Sequence, residues 1–421
     1  MTETFGEQLP ALCTPLPGPV SQGWIDRLAI RECPAITARR ARRAASLGAA
    51  SDDPIVWQEA QGSNVLDVDG NILVDLTAGF GVASVGHRNP RVVQAGQQQL
   101  GRLPHAMGDA YPDPQRIRLL ERLAALSGLD RAILGSSGSD AVEAALKTAR
   151  MATGRDRVLA FSASYHGLSY GVLATTGYKR QSFQAPFAGQ LGDHVQHAPF
   201  GGPIPALGEV GAVLVEPIQG RGGVRVPPPG WLAALLDAAH EAGAVVIFDE
   251  IYTGFGRTGA WFGFQDPDLR GRRPDLICVG KGMAGGYPIS ACIGTAAVMD
   301  AWGASRGEAI HTQTFLGNPV GCAMALAAID EVERLLPTVS GKGRWLRERL
   351  QERGLPVRGR GMLLGVEVPH SLAVSRALLQ QGYIALPAGE SAEVLALTPP
   401  LVITQAQLEG FLAALDVALA G

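Results

Sequence analysis

No stretch of this sequence stays apolar for the ~20 residues that a bilayer crossing takes, so a membrane-spanning chain is not expected. Charge is sparse and nearly balanced. Asp, Glu, Lys and Arg make up 18% of the 421 residues and sum to −3. That leaves no electrostatic footing for nucleic acid or an anionic membrane surface. The one basic cluster, Arg39, Arg40, Arg42 and Arg43, reads as a solvated helix face. Cysteine is scarce too. Five residues, at positions 13, 33, 278, 292 and 322, form no Cys-x-x-Cys pair. An odd, scattered set argues for reduced thiols in a cytoplasm and against a disulfide framework or a zinc knuckle. The first residues, "MTETFGEQLPALCTPLPGPV", lack the basic and apolar segments of a secretory signal, so no signal peptide is expected. No internal repeat and no low-complexity tract is evident.

What the chain does have is apolar mass and turn punctuation. Hydrophobic residues are 46%, and the 54 glycines and 28 prolines are spread along the chain. "NVLDVDGNILVDL" reads as a hairpin around Asp69-Gly70. From about residue 90 to 300, helical and strand patterns alternate. "PRVVQAGQQQLGRL", "QRIRLLERLAALSG", "SDAVEAALKTARMATG" and "GWLAALLDAAHEAG" are helical. "RAILG", "RVLAF", "GAVLVEPI", "AVVIFDEI" and "DLICVG" are strands, apolar throughout. Such strands separated by helices imply an α/β fold with a mostly parallel sheet covered on both faces. The C-terminal part changes style. "VRGRGMLLGVEV" reads as a strand, "SLAVSRALLQQG" as a helix, and "TQAQLEGFLAALDVALA" as a last helix with a Thr404–Gln407 capping box. The expected division is an N-terminal arm over 1–64, a large α/β domain over 65–334 and a smaller α+β domain over 335–421.

In open α/β sheets, ligands bind beyond the carboxyl ends of the strands. After "RAILG" come Ser137, Gly138 and Ser139, opening a helix whose first turn Asp140 and Glu143 can cap. That is an anion site, or an ordinary N-cap. After "RVLAF" come Tyr165 and His166, where the aromatic stacks on a planar ligand or simply packs. Glu216 follows "GAVLV", and Asp249 and Glu250 follow "AVVIF". Lys281 follows "DLICVG" and stands between Gly280 and Gly282. Buried carboxylates need a positive partner, so Asp249 and Lys281 could be a structural ion pair. Taken together, an anion cradle, an aromatic, a buried carboxylate and a desolvated lysine describe a pyridoxal phosphate site with no metal. "GFGRTG" and "GKGMAG" also match the dinucleotide fingerprint, which keeps an NAD-dependent dehydrogenase as a remote alternative.

"VDLTAGFGVASVGH", "SSGSDAVEAALKTAR", "SYHG", "EPIQG", "DEIYTGFGRTG", "VGKGMAGGYPISA", "HTQTFLGNP" and "LTPPL", in this order, resemble the class III aminotransferases of PLP fold type I. The ornithine, acetylornithine and 4-aminobutyrate enzymes are of this kind. The resemblance runs from about Val65 to the C-terminus. It implies a seven-stranded-type sheet, pyridoxal 5'-phosphate and ping-pong transfer of an amino group from an amine or amino acid to a keto acid. Lys281 matches the Schiff-base lysine and Asp249 the pyridinium partner. Tyr165 and Ile251 match the residues on the two ring faces, and Gly138 and Ser139 the phosphate loop. Glu216 matches a support of the loop. Thr314 matches a threonine that reaches the neighbouring subunit's phosphate, which implies a homodimer with shared sites. Phe80, Val82, Arg221 and Tyr252 are expected to wall the substrate pocket. Two positions depart from the pattern. Arg221 stands where many members have glutamate, and Ala396 where many have the arginine that grips a substrate carboxylate. The expectation is that Arg221 grips the carboxylate from another wall, unless it is a solvated rim residue. "LTPPL" and "GKGMAGGYPIS" also resemble a racemase and epimerase branch, so a racemase, epimerase or aminomutase is the alternative. Arg221, a poor base, stands where that branch carries aspartate.

Overall fold

Residues 4–35, 55–304 and 309–420 are described by the computed structural model, and the cluster Arg39, Arg40, Arg42 and Arg43 lies outside them. Strand β1 (Trp57–Gln61) pairs with β2 (Asn64–Asp67), which pairs with β3 (Ile72–Asp75). The β2–β3 connection is the expected hairpin, with Val65 opposite Leu73.

The central sheet contains β4 (Arg131–Gly135), β5 (Arg157–Phe161), β6 (Val195–Ala198), β7 (Val210–Val215), β8 (Val245–Asp249), β9 (Leu276–Val279) and β10 (Ser290–Gly294). Their order is β4-β10-β9-β8-β7-β5-β6. β10 is antiparallel to β4 and β9, and the remaining neighbours are parallel. Sequence reading passes over β10 because "SACIG" has few of the branched and aromatic side chains that mark a strand. Every residue of β7, β8, β9 and β10 is buried. The pleat sends alternate residues to opposite faces. Ala212 and Leu214 pack with Ala141, Ala145 and Ala149 of the helix Gly138–Thr153. Val213 and Val215 pack in a second cluster with Leu235 and Leu236 of the helix Trp231–Glu241. Both faces are therefore dry, as an all-apolar parallel strand requires.

The C-terminal part carries β11 (Val357–Arg360), β12 (Leu363–Glu367), β13 (Tyr383–Ile384), β14 (Leu386–Ala388) and β15 (Val394–Leu397). "VRGRGMLLGVEV" is thus a β11–β12 hairpin rather than one strand. Gly361 makes the difference. Its φ is +54°, and a Cβ there would lie 2.5 Å from the carbonyl carbon of Thr258. Only glycine suits both demands. Gly361→Ala is expected to destabilise the fold by about 2–3 kcal/mol, read as a lower urea midpoint; a loss under about 0.5 kcal/mol would refute this account. β13 pairs in parallel with β3, so the N-terminal hairpin sits against the C-terminal part. The helix Pro319–Gln351 runs unbroken across the expected boundary at 334/335. The last helix, Gln405–Ala420, begins with the expected box. Gln407 N donates to Thr404 Oγ1 at 3.2 Å and Thr404 N to Gln407 Oε1 at 3.1 Å.

Candidate active site

Parallel pairing puts the carboxyl ends of β5, β7, β8 and β9 on one edge of the sheet, and the doubly antiparallel β10 brings the end of β4 there too. After β4, Ser137 caps the helix Gly138–Thr153 by accepting from Asp140 N at 3.2 Å. Asp140 turns back to accept from Ser136 N at 2.9 Å. Glu143 does not cap the first turn as expected. It is one turn too far along and pairs with Lys147 at 3.3 Å. The N–H groups of Gly138 and Ser139 have no protein acceptor among the described residues. Two hydroxyls, Ser137 Oγ and Ser139 Oγ, lie 3.2 Å apart beside them. Free donors at a helix N-terminus favour an anion there.

Asp249 ends β8 and is 4% exposed. Its Oδ1 accepts from Ile251 N at 3.1 Å and its Oδ2 meets His166 Nδ1 at 2.8 Å. An ionised carboxylate only accepts, so the His166 proton sits on Nδ1. Four lone-pair sites leave Asp249 room for a further donor. Glu216, just past β7, accepts from Tyr165 N at 3.0 Å and from Gly220 N at 3.2 Å. It ties together the loops that follow β5 and β7. Burial pushes its carboxyl up to about 7, His166 opposes the shift, and the charge of Asp249 adds to it. Lys281 follows β9. Burial lowers its ammonium pKa, against the pull of Asp249 and Glu216, and Arg221 lowers it further. No carboxylate among the described residues lies within 4.0 Å of Lys281, so the Asp249–Lys281 ion pair is not formed. Asp249 is engaged by His166 and by backbone instead.

These pieces meet in a cleft of about 380 Å³. Val82, Ser137, Gly138, Ser139, Tyr165, His166, Ile251 and Lys281 line it, as the motifs lead one to expect. Ser136 and Gly286–Ile289 line it as well, although sequence reasoning assigned them nothing. Their signal was the run "GGYPIS" directly after the lysine motif. Asp249 and Glu216 are not among the lining residues, but Asp249 is bonded to His166, which is. Phe80 is 65% exposed and is not part of the lining. Thr314 is exposed and lines a different cavity, of about 430 Å³, with His105, Met107 and Arg116. Arg221 lies over the ring of Tyr165, 4.4 Å from its centroid, and 5.2 Å from that of Tyr178. It is half-buried, with no carboxylate within 4.0 Å among the described residues.

The cleft fits pyridoxal phosphate. Its volume suits a small cofactor. Free helix donors suit a phosphate, Tyr165 and Ile251 offer two walls, and Asp249 suits a protonated ring nitrogen. The buried Nε2 of His166 has no hydrogen-bond partner among the described residues. A nicotinamide dinucleotide does not fit. Neither glycine fingerprint opens a helix of the βαβ kind. "GFGRTG" is a run of turns and "GKGMAG" only a single 3₁₀ turn. No group of three metal-ligating side chains occurs among the described residues.

A family model described as aminotransferase class-III matches residues 47–419. The acetylornithine aminotransferase of Mycobacterium bovis is 39% identical over 384 residues, covering 87% of this chain and 92% of that protein. The ornithine aminotransferase structure from Toxoplasma gondii superposes with a TM-score of 0.80 at 28% identity, covering 94% of this chain and 97% of that one. A PLP-bound amine transaminase from an uncultivated Pseudomonas species gives 0.79 at 28% identity, covering 88% and 95%.

Proposed function

The chain belongs to the class-III aminotransferases, and from that premise we propose which of its residues hold the cofactor, move the proton and choose the substrate. It is a pyridoxal-phosphate-dependent enzyme that passes an amino group from a donor to a keto acid. When bound, pyridoxal phosphate supplies an aldehyde for the amine and a ring that accepts electrons from the reacting carbon. Ser137, Gly138 and Ser139 bind its phosphate with two backbone donors and two hydroxyls. Tyr165 and Ile251 orient its ring. Asp249, steadied by His166, holds a proton on the ring nitrogen, and Glu216 braces both loops. Lys281 Nζ takes the proton from the substrate carbon and returns it. The observation carrying this reading is that Lys281, Asp249 and the open helix N-terminus converge on one strand edge. Its test is the visible absorbance of the purified protein and its loss on adding an amino donor without a keto acid. A colourless protein that binds no pyridoxal phosphate would sink the reading.

The substrate we infer carries a carboxylate, held by Arg221. A guanidinium set over two tyrosine rings, with no carboxylate partner among the described residues, has donors to offer for a bidentate carboxylate contact. An amino acid donor of the acetylornithine kind, as in the M. bovis relative, meets that requirement. Arg221→Ala is expected to raise KM for a carboxylate-bearing donor about ten- to a hundredfold while sparing a simple amine. Equal, small effects on both would remove Arg221 from the substrate site.

Two copies are proposed to share their sites. Thr314 is exposed beside Phe315, 64% exposed, and shares a cavity with Met107, 54% exposed, which supports a neighbouring subunit over this face. Among the described residues no helix is long and apolar enough to cross a membrane. The buried free thiols Cys278, Cys292 and Cys322 support a reducing, cytoplasmic setting.

A further inference from the structure

Tyr252 was expected to wall the substrate pocket, yet it does not line the cleft. Its ring lies behind, with Lys281 Nζ 4.6 Å from the ring centroid. That is within the range at which a ring face attracts an ammonium. The ring is wedged between two chain segments that are far apart in sequence. A Cβ on Gly220 would come within 2.7 Å of Tyr252 Cδ1, and one on Gly81 within 3.4 Å of its Cε2 and 3.6 Å of Lys281 Cδ. Glycine at both positions lets the ring and the lysine stem lie this close.

The hydroxyl end is fixed as well. Thr398 Oγ1 donates to Thr77 O at 3.1 Å, and Tyr252 Oη lies 3.3 Å from Thr398 Oγ1. A threonine hydroxyl has one proton. With that proton on Thr77 O, the Tyr252 proton must point to Thr398. The phenol therefore has no proton to offer Lys281, and burial keeps it protonated, its pKa raised. Among the described residues Lys281 makes no hydrogen bond to the phenol oxygen, and it is the ring that its Nζ meets. We propose that Tyr252 is a positioning residue whose ring face receives the Lys281 ammonium and whose hydroxyl is locked by Thr398.

The other groups facing the ammonium are Asp249 at the end of β8, Glu216 past β7, and Arg221 on the loop beyond Glu216. Arg257, Asp75 and Arg221 face the Tyr252 phenol. Tyr252→Leu and Tyr252→Phe change none of these side chains, whereas Gly220→Ala sits beside Arg221 and on the backbone donor to Glu216. A ring face favours the charged amine, so removing it lowers the lysine's pKa, by roughly three- to thirtyfold in the acid constant.

The inference rests on Lys281 being the reactive amine, so its test does not use the reaction. The cofactor-free, full-length protein is labelled with acetic anhydride across roughly pH 7 to 11, and the Lys281 peptide is quantified by mass spectrometry. Tyr252→Leu is expected to move the labelling midpoint about one pH unit lower. Tyr252→Phe keeps the face and holds the midpoint. Gly220→Ala, which pushes the ring away while leaving tyrosine in place, shifts it downward too. An unmoved or raised midpoint in both Tyr252→Leu and Gly220→Ala overturns the assignment, as does a Phe variant that behaves like Leu. Should Tyr252→Leu not fold, the Gly220→Ala result decides. The visible spectrum with pyridoxal phosphate, compared between wild type and Lys281→Ala, separately tests whether Lys281 is the anchor.

Discussion

Lys281→Ala is expected to lower turnover by about 10³- to 10⁴-fold and to leave no pyridoxal mass on the protein after borohydride treatment. The argument begins with the strand. β9 is buried at every position, so the residue after it leaves the sheet edge in a fixed direction. Burial lowers the ammonium's pKa, which raises the fraction of neutral amine able to act as nucleophile or base. Alanine at this position removes the amine and leaves Asp249, His166 and the helix N-terminus as they are. The groups proposed to hold the phosphate and the ring are thus untouched, and the variant should still bind pyridoxal phosphate reversibly with little change in Tm. Turnover within tenfold of wild type, or a borohydride-stable adduct on another lysine, would move the reactive amine elsewhere.

Asp249→Asn is expected to cost about 10²- to 10³-fold in kcat, with a smaller change in KM for the donor. Asparagine keeps the shape and loses the charge. The His166 Nδ1–H still finds an oxygen at the present 2.8 Å, so the pocket should not collapse. A neutral amide, however, gives a ring-nitrogen proton no electrostatic hold, and the ring's ability to take up electrons falls with it. Two further signs follow from charge alone. Asp249 raises the Glu216 carboxyl, now at about 7, so Glu216 should titrate lower in the variant. Asp249 also raises the Lys281 ammonium, so the pH midpoint of covalent cofactor binding should move down. Steady-state kinetics and a pH titration of the bound chromophore check both. An unchanged kcat would show that Asp249 serves the fold alone.

Much of this was readable in the sequence because the readable features depend on the chain's local order. Strands apolar on both faces dictate a covered parallel sheet, and parallel strands put the residues after them on one edge. Asp249, Lys281 and Ser137–Ser139 could thus be grouped before any contact was known. Glu143 misled because a carboxylate near a helix start can cap it or pair one turn on, and Lys147 at 3.3 Å decides for pairing. The β11–β12 turn was hidden because Gly361 is demanded by Thr258, a neighbour from a distant segment. The Tyr252 wedge was illegible for the same reason. It depends on Gly81, Gly220 and Thr398, three segments that only the fold brings together. Arg221 could be named as a departure, but its two tyrosine neighbours come from the loop after β5.

The helix Pro319–Gln351 has one more consequence. At 33 residues it is about 50 Å long. Its Ile329 and Val332 belong to the cluster under the central sheet, and its Val339, Leu346 and Leu350 to the C-terminal cluster. Leu335 packs against both. One rod thus has each end in a different core, and neither core can melt without stripping apolar surface from the helix that the other needs. The chain's stability is therefore held in common. Damage among β11, β12 and β15 lowers the melting resistance of the cleft around Lys281, although it touches no residue there.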